Sequence, residues 1–259
     1  MSLVPFAAVA LAAVVAAMVL LWLLSLVLRD SGIVDIAWGL LFVGISWLGL
    51  AIGDGSMSRR VLVAVLVSVW GIRLAARIGR RNIGRPEDYR YAAWREQAGR
   101  AWWWRSLLKV FLLQGVVAWV VSLPLLVVAA GETPARLTAL DALGLIVCGV
   151  GLFFESVGDA QLDRFKADPA NRGTLIETGL WRYTRHPNYF GDACFWWGIG
   201  VVALLVPWGV VAAIGPAVMT FVLTRLSGVA MLERAMSTRP GWDAYAQRTS
   251  SFIPRPPRR

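Results

Sequence analysis

This sequence predicts an all-α, polytopic membrane protein of about seven transmembrane helices, forming a single integral-membrane domain over residues 1–259. Three observations predict it. Hydrophobic residues make up 58% of the chain and charged residues only 16%, a balance outside the range of soluble globular domains. Long uncharged runs recur, separated by shorter segments that carry the charge. That charge is one-sided, with 26 Lys and Arg against 16 Asp and Glu.

Taken in order, Val4 to Leu28 is a first span, stopped by Arg29 and Asp30. It has no basic segment before it and is too long for a signal-peptide core, so it reads as a retained span. Ile33 to Ile52 is a second span, with Asp35 near its start, and Gly53 to Ser58 is a turn. Val61 to Ala76 is a third, short and interrupted by Arg73. A polar segment, Arg77 to Arg105, follows. Ser106 to Ala130 is a fourth span, with Gln114 inside it and Pro124 predicting a kink. Leu140 to Gly158 is a fifth, and its helix continues into the second polar segment, Asp159 to Asp192. Ala193 to Leu205 and Trp208 to Gly228 are the sixth and seventh, split by Pro207.

Loop charge orients this arrangement. Of the 26 cationic residues, 20 fall after spans one, three, five and seven and Arg73, Lys109 and Arg225 lie within spans, whereas only Arg59, Arg60 and Arg136 fall on the other face. Positive charge stays inside, so the C-terminus and both long polar segments are expected in the cytoplasm.

The function classes narrow accordingly. Arginines in loops between spans point to membrane lipid or an anionic cofactor as partner, and not to nucleic acid. Cys148 and Cys194 lie in or beside apolar runs without a C-x-x-C pair, and His186 is the one histidine, so no metal site is expected. No glycine-rich dinucleotide fingerprint and no Walker loop occurs, so a nucleotide would bind in another mode.

Chemistry-bearing residues concentrate in the polar segments. In the first, Asn82 and Arg85 flank a turn fixed by Gly84 and Pro86, and an amide beside a guanidinium can read a phosphate or a ribose hydroxyl. Arg77, Arg80 and Arg100 read as a headgroup anchor and Trp102 to Trp104 as an aromatic belt. In the second, Glu155, Asp159 and Asp163 are spaced by four, which puts three carboxylates on one helical face leading towards Lys166, Arg172, Arg182 and Arg185. Tyr183, His186, Asn188, Tyr189, Asp192 and Trp196 crowd the entry to the sixth span, a costly place for polar groups unless a ligand binds there. The bland alternative for this segment is a set of salt bridges and an interfacial anchor. Asp35 reads equally as a functional acid or as a helix cap or supporting partner of other side chains.

Here the residues carry a resemblance. Leu180-Trp181-Arg182-Tyr183-Thr184-Arg185-His186-Pro187-Asn188-Tyr189-Phe190-Gly191-Asp192 resembles the C-terminal signature of the steroid 5α-reductase and sterol C14-reductase superfamily. The stretches Val34 to Gly39, Arg81 to Asp88, Arg164 to Pro169 and Phe252 to Pro254 extend the likeness to a bacterial branch of it over nearly the whole chain. The Arg-His-Pro-Asn-Tyr core is shared with isoprenylcysteine carboxyl methyltransferases, which use S-adenosylmethionine.

The resemblance implies an NADPH-dependent membrane reductase of a carbon–carbon double bond in a lipophilic, steroid-like enone, sited in a bacterial inner membrane. It implies cofactor contacts from Asn82, Arg85, Asp159, Lys166, Asn188, Asp192, Trp196 and Arg225, beside the cluster of Arg172, Arg182, Tyr183, Arg185, His186 and Tyr189. Asp35 matches a carboxylate that polarises the substrate ketone. The family's partner tyrosine sits in the third helix, and none of the five tyrosines here falls within the third span. The alternatives are a methyltransferase using S-adenosylmethionine and a protein that binds phospholipid headgroups. Phosphate-matching cations distinguish NADPH from S-adenosylmethionine, which needs few of them.

Overall fold

Inside a bilayer every backbone N–H and C=O must pair within its own segment, and a helix does this. The computed structural model, which describes residues 1–226 and 228–258, is accordingly all-α. The one bridge outside the helices among the described residues joins Thr184 to Ser250. The helices are α1 (Leu3–Leu28), α2 (Ile33–Ile52), α3 (Met57–Asn82), α4 (Tyr89–Val121), α5 (Leu123–Ala130), α6 (Ala139–Ala167), α7 (Pro187–Ala203), α8 (Ile214–Phe221), α9 (Val229–Met236) and α10 (Trp242–Arg248).

This is a polytopic membrane protein. Among the described residues six helical runs are long and apolar enough to cross a bilayer: α1, α2, α3, α4, α6 and the run Gly209–Met236. The expected sixth span is α7, which has 17 residues. At 1.5 Å per residue that is about 26 Å, slightly short of a hydrocarbon core of about 30 Å. The polar segments also prove more helical than their composition suggests. Helix α3 runs on to Asn82, and α4 already begins at Tyr89, with Asp88 accepting the Arg90 N–H as its cap at 3.0 Å. The break expected at Pro124 falls at Ser122, because proline is tolerated only in the first turn of α5.

The chain gathers into two compact units, Met1–Thr138 with Ala203–Ile214, and Ala139–Val202 with Gly215–Arg259. In the first, α2 and α3 meet at glycines: a Cβ on Gly39 would lie 2.8 Å from the Gly71 carbonyl, so only glycine admits this approach. Phe42 packs edge-on against Trp38 and Trp70, with ring centroids 4.9 and 5.7 Å away. In the second, α6 and α7 approach in the same way, since a Cβ on Gly151 would lie 2.6 Å from the Gly191 carbonyl. That contact brings the polar end of α6 beside the start of α7.

Candidate functional site

The second unit holds a cavity of about 550 Å³, built where α6 runs beyond its apolar part. Past Ala167 the chain turns back. Asp168 accepts the Ala170 N–H at 2.9 Å, and the Asn171 amide donates to the Phe165 carbonyl at 2.9 Å, so a short polar loop curls under the helix end. The 3₁₀ turn Gly179–Arg182 is then pinned to α6: Leu180 N–H donates to Gln161 Oε1 at 2.9 Å and the Trp181 indole to the Gly158 carbonyl at 3.1 Å. Pro187 opens α7, its fixed φ suited to a first helical position.

Sequence-predicted residues meet here in part. Lys166, Arg172, Arg185, His186 and Asn188 line the cavity, among apolar walls from Leu162, Phe165, Ile176 and Trp181. Asn188 donates to Asp159 Oδ1 at 3.3 Å, which ties the amide to the carboxylate face of α6. His186 is buried and stacks on Tyr189, with rings 5.7 Å apart and 16° from parallel. Because α7 is helical from Pro187, Asp192 and Trp196 follow Asn188 at one and two turns, as expected. Both are buried, and of the three only Asn188 lines the cavity. Tyr183 is exposed, Arg182 lines a different concavity, and Arg225 is exposed in the π-helical stretch Val222–Leu226 away from the cavity lining.

Arg185 has a role that composition did not suggest. Its Nε and Nη2 lie 2.9 and 2.7 Å from Glu233 Oε1. Its Nη1 donates to the carbonyls of Ala246 at 2.9 Å and Thr249 at 2.5 Å. The guanidinium also sits 5.5 Å from the Trp242 ring centroid. This side chain fastens the C-terminal helices α9 and α10, which with the turn between them form the far wall of the cavity through Leu232 and Met236, Arg239 of the turn, and Tyr245. His186 Nε2 stands 3.3 Å from the same Glu233 oxygen, close enough for an ion pair when the ring is protonated. Tyr245 donates to the Trp181 carbonyl at 2.7 Å, and burial pushes its phenol pKa up. Arg239 reaches across to the Thr174 carbonyl at 3.0 Å. The sequence reading passed over Glu233, Trp242 and Tyr245. The available signal was a single acid, Glu233, in a segment otherwise apolar and basic.

The remaining predicted residues belong to the first unit, which carries its own polar constellation. Asn82 ends α3, its side chain accepting from Arg81 at 3.0 Å, and Arg85 is exposed beyond the turn at Gly84, whose φ of 77° favours glycine. Asp35 is not a cap, for Asp35 Oδ1 accepts the Tyr91 hydroxyl at 2.7 Å and its Oδ2 meets Arg90 at 3.2 Å. Gln114 donates to the same Tyr91 oxygen at 3.2 Å. The tyrosine that meets Asp35 thus comes from the first turn of α4 and not from the third helix. Next to it, Glu87 accepts Arg95 at 2.8 and 2.9 Å and the Ser31 N–H at 2.7 Å. Burial pushes the Glu87 carboxyl up, but these bonds outweigh it and hold the group below its ordinary range. Asp88 is lowered in the same way, burial being outweighed by Arg90.

Residues 21–249 match the model of a family described as a protein of unknown function (DUF1295). The chain belongs to that family. It is also 25% identical to an uncharacterized protein, C594.04c, of Schizosaccharomyces pombe, over 91% of this chain and 76% of the relative. No solved structure matches it.

Proposed function

We propose that this DUF1295 member is an NADPH-dependent membrane reductase of a carbon–carbon double bond in a lipophilic enone, its cofactor held in the cavity of the second unit. The observation that carries the reading is the make-up of that cavity. Lys166, Arg172 and Arg239 outnumber the one acid of the lining, Asp168, in a space whose apolar walls include Phe165, Ile176, Trp181 and Leu232. Cations for phosphates and flat apolar surfaces for a base are the chemistry a dinucleotide asks for, and the volume lies in the range of cofactor sites. Asn188, which lines the cavity and is held by Asp159 behind it, offers an amide for ribose or carboxamide groups. S-adenosylmethionine carries no phosphate and so makes less use of three cations in one cavity.

When bound, the cofactor would supply the hydride. The first unit contributes, as its candidate acid, Asp35 with its partner Tyr91. Tyr91 carries its hydroxyl proton on a carboxylate oxygen 2.7 Å away, and Gln114 and Arg90 fix the two partners. That hydroxyl has a single proton, so it would stabilise the developing negative charge on an enone oxygen only by turning its O–H from Asp35 to that oxygen. The likeness to the steroid 5α-reductase superfamily supports this assignment of Asp35 and supports a 3-oxo-Δ4 type of substrate. Loop charge supports a cytoplasmic C-terminus and cavity, and the resemblance to a bacterial branch supports an inner-membrane location.

The test is a thermal-shift titration of detergent-purified protein with NADPH, NADH and S-adenosylmethionine. NADPH should stabilise most. Lys166→Ala and Arg172→Ala should each weaken NADPH binding by about 1.5–3 kcal/mol, the scale of a charge-assisted hydrogen bond. A larger shift with S-adenosylmethionine, or NADPH affinity unchanged in both variants, overturns the reading. Reporter fusions after Arg258 and within Gly53 to Ser58 should report opposite sides of the membrane.

A further inference from the structure

A second concavity of about 500 Å³ lies in the same unit and shares no lining residue with the first. Three arginines reach it from three separate parts of the chain: Arg182 from the 3₁₀ turn, Arg248 from the end of α10 and Arg258 from the C-terminal tail. The one acid in its lining, Glu177, is ion-paired with Arg248. The side chains of Arg182 and Arg258 are exposed and meet no acceptor among the described residues.

The backbone holds this convergence in place. Arg258 N–H donates to the Arg248 carbonyl at 2.9 Å, and Arg255 N–H to the Tyr183 carbonyl at 3.0 Å. Arg185 N–H donates to the Ser250 carbonyl at 2.9 Å beside the Thr184–Ser250 bridge. The segments that carry the three guanidiniums are thus tied together, and like charges are drawn to one hollow against their mutual repulsion. A bound anion would remove that repulsion. Planar guanidiniums arriving from several sides suit one with several oxygens, such as a phosphate group, which each can grip by two parallel bonds.

We infer that this hollow is a second anion site, taking the phosphate group of either an anionic phospholipid headgroup or a free phosphate, and that Arg182 serves it instead of the cofactor cavity. The inference does not rest on the reductase reading. Binding to full-length protein in neutral detergent is measured by calorimetry with dihexanoyl phosphatidylglycerol, with inorganic phosphate, and with sodium chloride at matched ionic strength. Binding of the lipid alone assigns the site to a headgroup, and binding of inorganic phosphate assigns it to a free phosphate. In either case Arg182→Gln/Arg258→Gln should weaken the probe's affinity about tenfold or more, and Arg182→Lys/Arg258→Lys should restore much of it. Arg258→Gln alone, at the chain end where folding is least at stake, should produce part of the loss. No binding by either probe, an equal response to sodium chloride, or unchanged affinity in the Gln variants overturns the inference. NADPH titrations of the same Gln variants should be unchanged while Lys166→Ala loses affinity, so the two sites stand or fall separately.

Discussion

Each unit contains an acid–arginine pair with an aromatic side chain in contact, and the two are built around opposite partners. In the first unit the carboxylate is the hub: Asp35 receives the Tyr91 hydroxyl on one oxygen and Arg90 on the other. In the second the guanidinium is the hub: Arg185 gives its donors to Glu233 and to two backbone carbonyls of the C-terminal segment. A carboxylate hub keeps a proton-bearing hydroxyl at its edge and so retains chemistry. A guanidinium hub ringed by acceptors has no proton to give at neutral pH and serves as a fastener. The difference teaches that an arginine inside a conspicuous motif is judged by its acceptors and not by its neighbours in sequence.

The largest effect expected from this contrast is at Arg185. Arg185→Ala should lower stability by about 2–4 kcal/mol, because it strands Glu233 and unties the Ala246 and Thr249 carbonyls together. Arg185→Lys should recover less than half, since a point charge cannot reach acceptors spread over a planar fork. A denaturation midpoint unchanged in the Ala variant would break the comparison.

Tyr91→Phe should cost less, about 1 kcal/mol, because Arg90 remains on Asp35 when the hydroxyl goes. Its effect on chemistry should be out of proportion to that. Turnover of a 3-oxo-Δ4 steroid should fall by about a hundredfold or more, in line with loss of a positioned proton donor. Full turnover in Tyr91→Phe would reduce the Asp35 hub to a structural network.

The smallest effect is a pH dependence at Glu87. Its folded carboxyl is held below the ordinary value of about 4.5, so its contribution is present above that value and is lost as pH falls through the lower folded one. The melting temperature should therefore decline as pH drops below about 4.5, and Glu87→Gln should flatten part of that decline while lowering stability at neutral pH. An acid limb of equal slope in the variant would show that other carboxylates carry the dependence.

Much of this molecule was legible without coordinates, and the reason is range. Apolar runs, the helical continuation of α6 to Ala167 and the shared spacing of Asn188, Asp192 and Trp196 are local properties, decided within a few turns by hydropathy and helical period. The membrane class and the charge asymmetry of the loops follow from composition alone. Pairing is another matter. Tyr91 reaches Asp35 across 56 positions and Arg185 reaches Glu233 across 48, and no local pattern encodes which distant carboxylate a side chain meets. Arg182 and Arg185 stand three residues apart in one motif, yet they line separate hollows, because a 3₁₀ turn and a β-bridge direct the chain between them. Which residues these are was written in the sequence; only tertiary packing decided which of them hold the protein together and which are left lining a hollow.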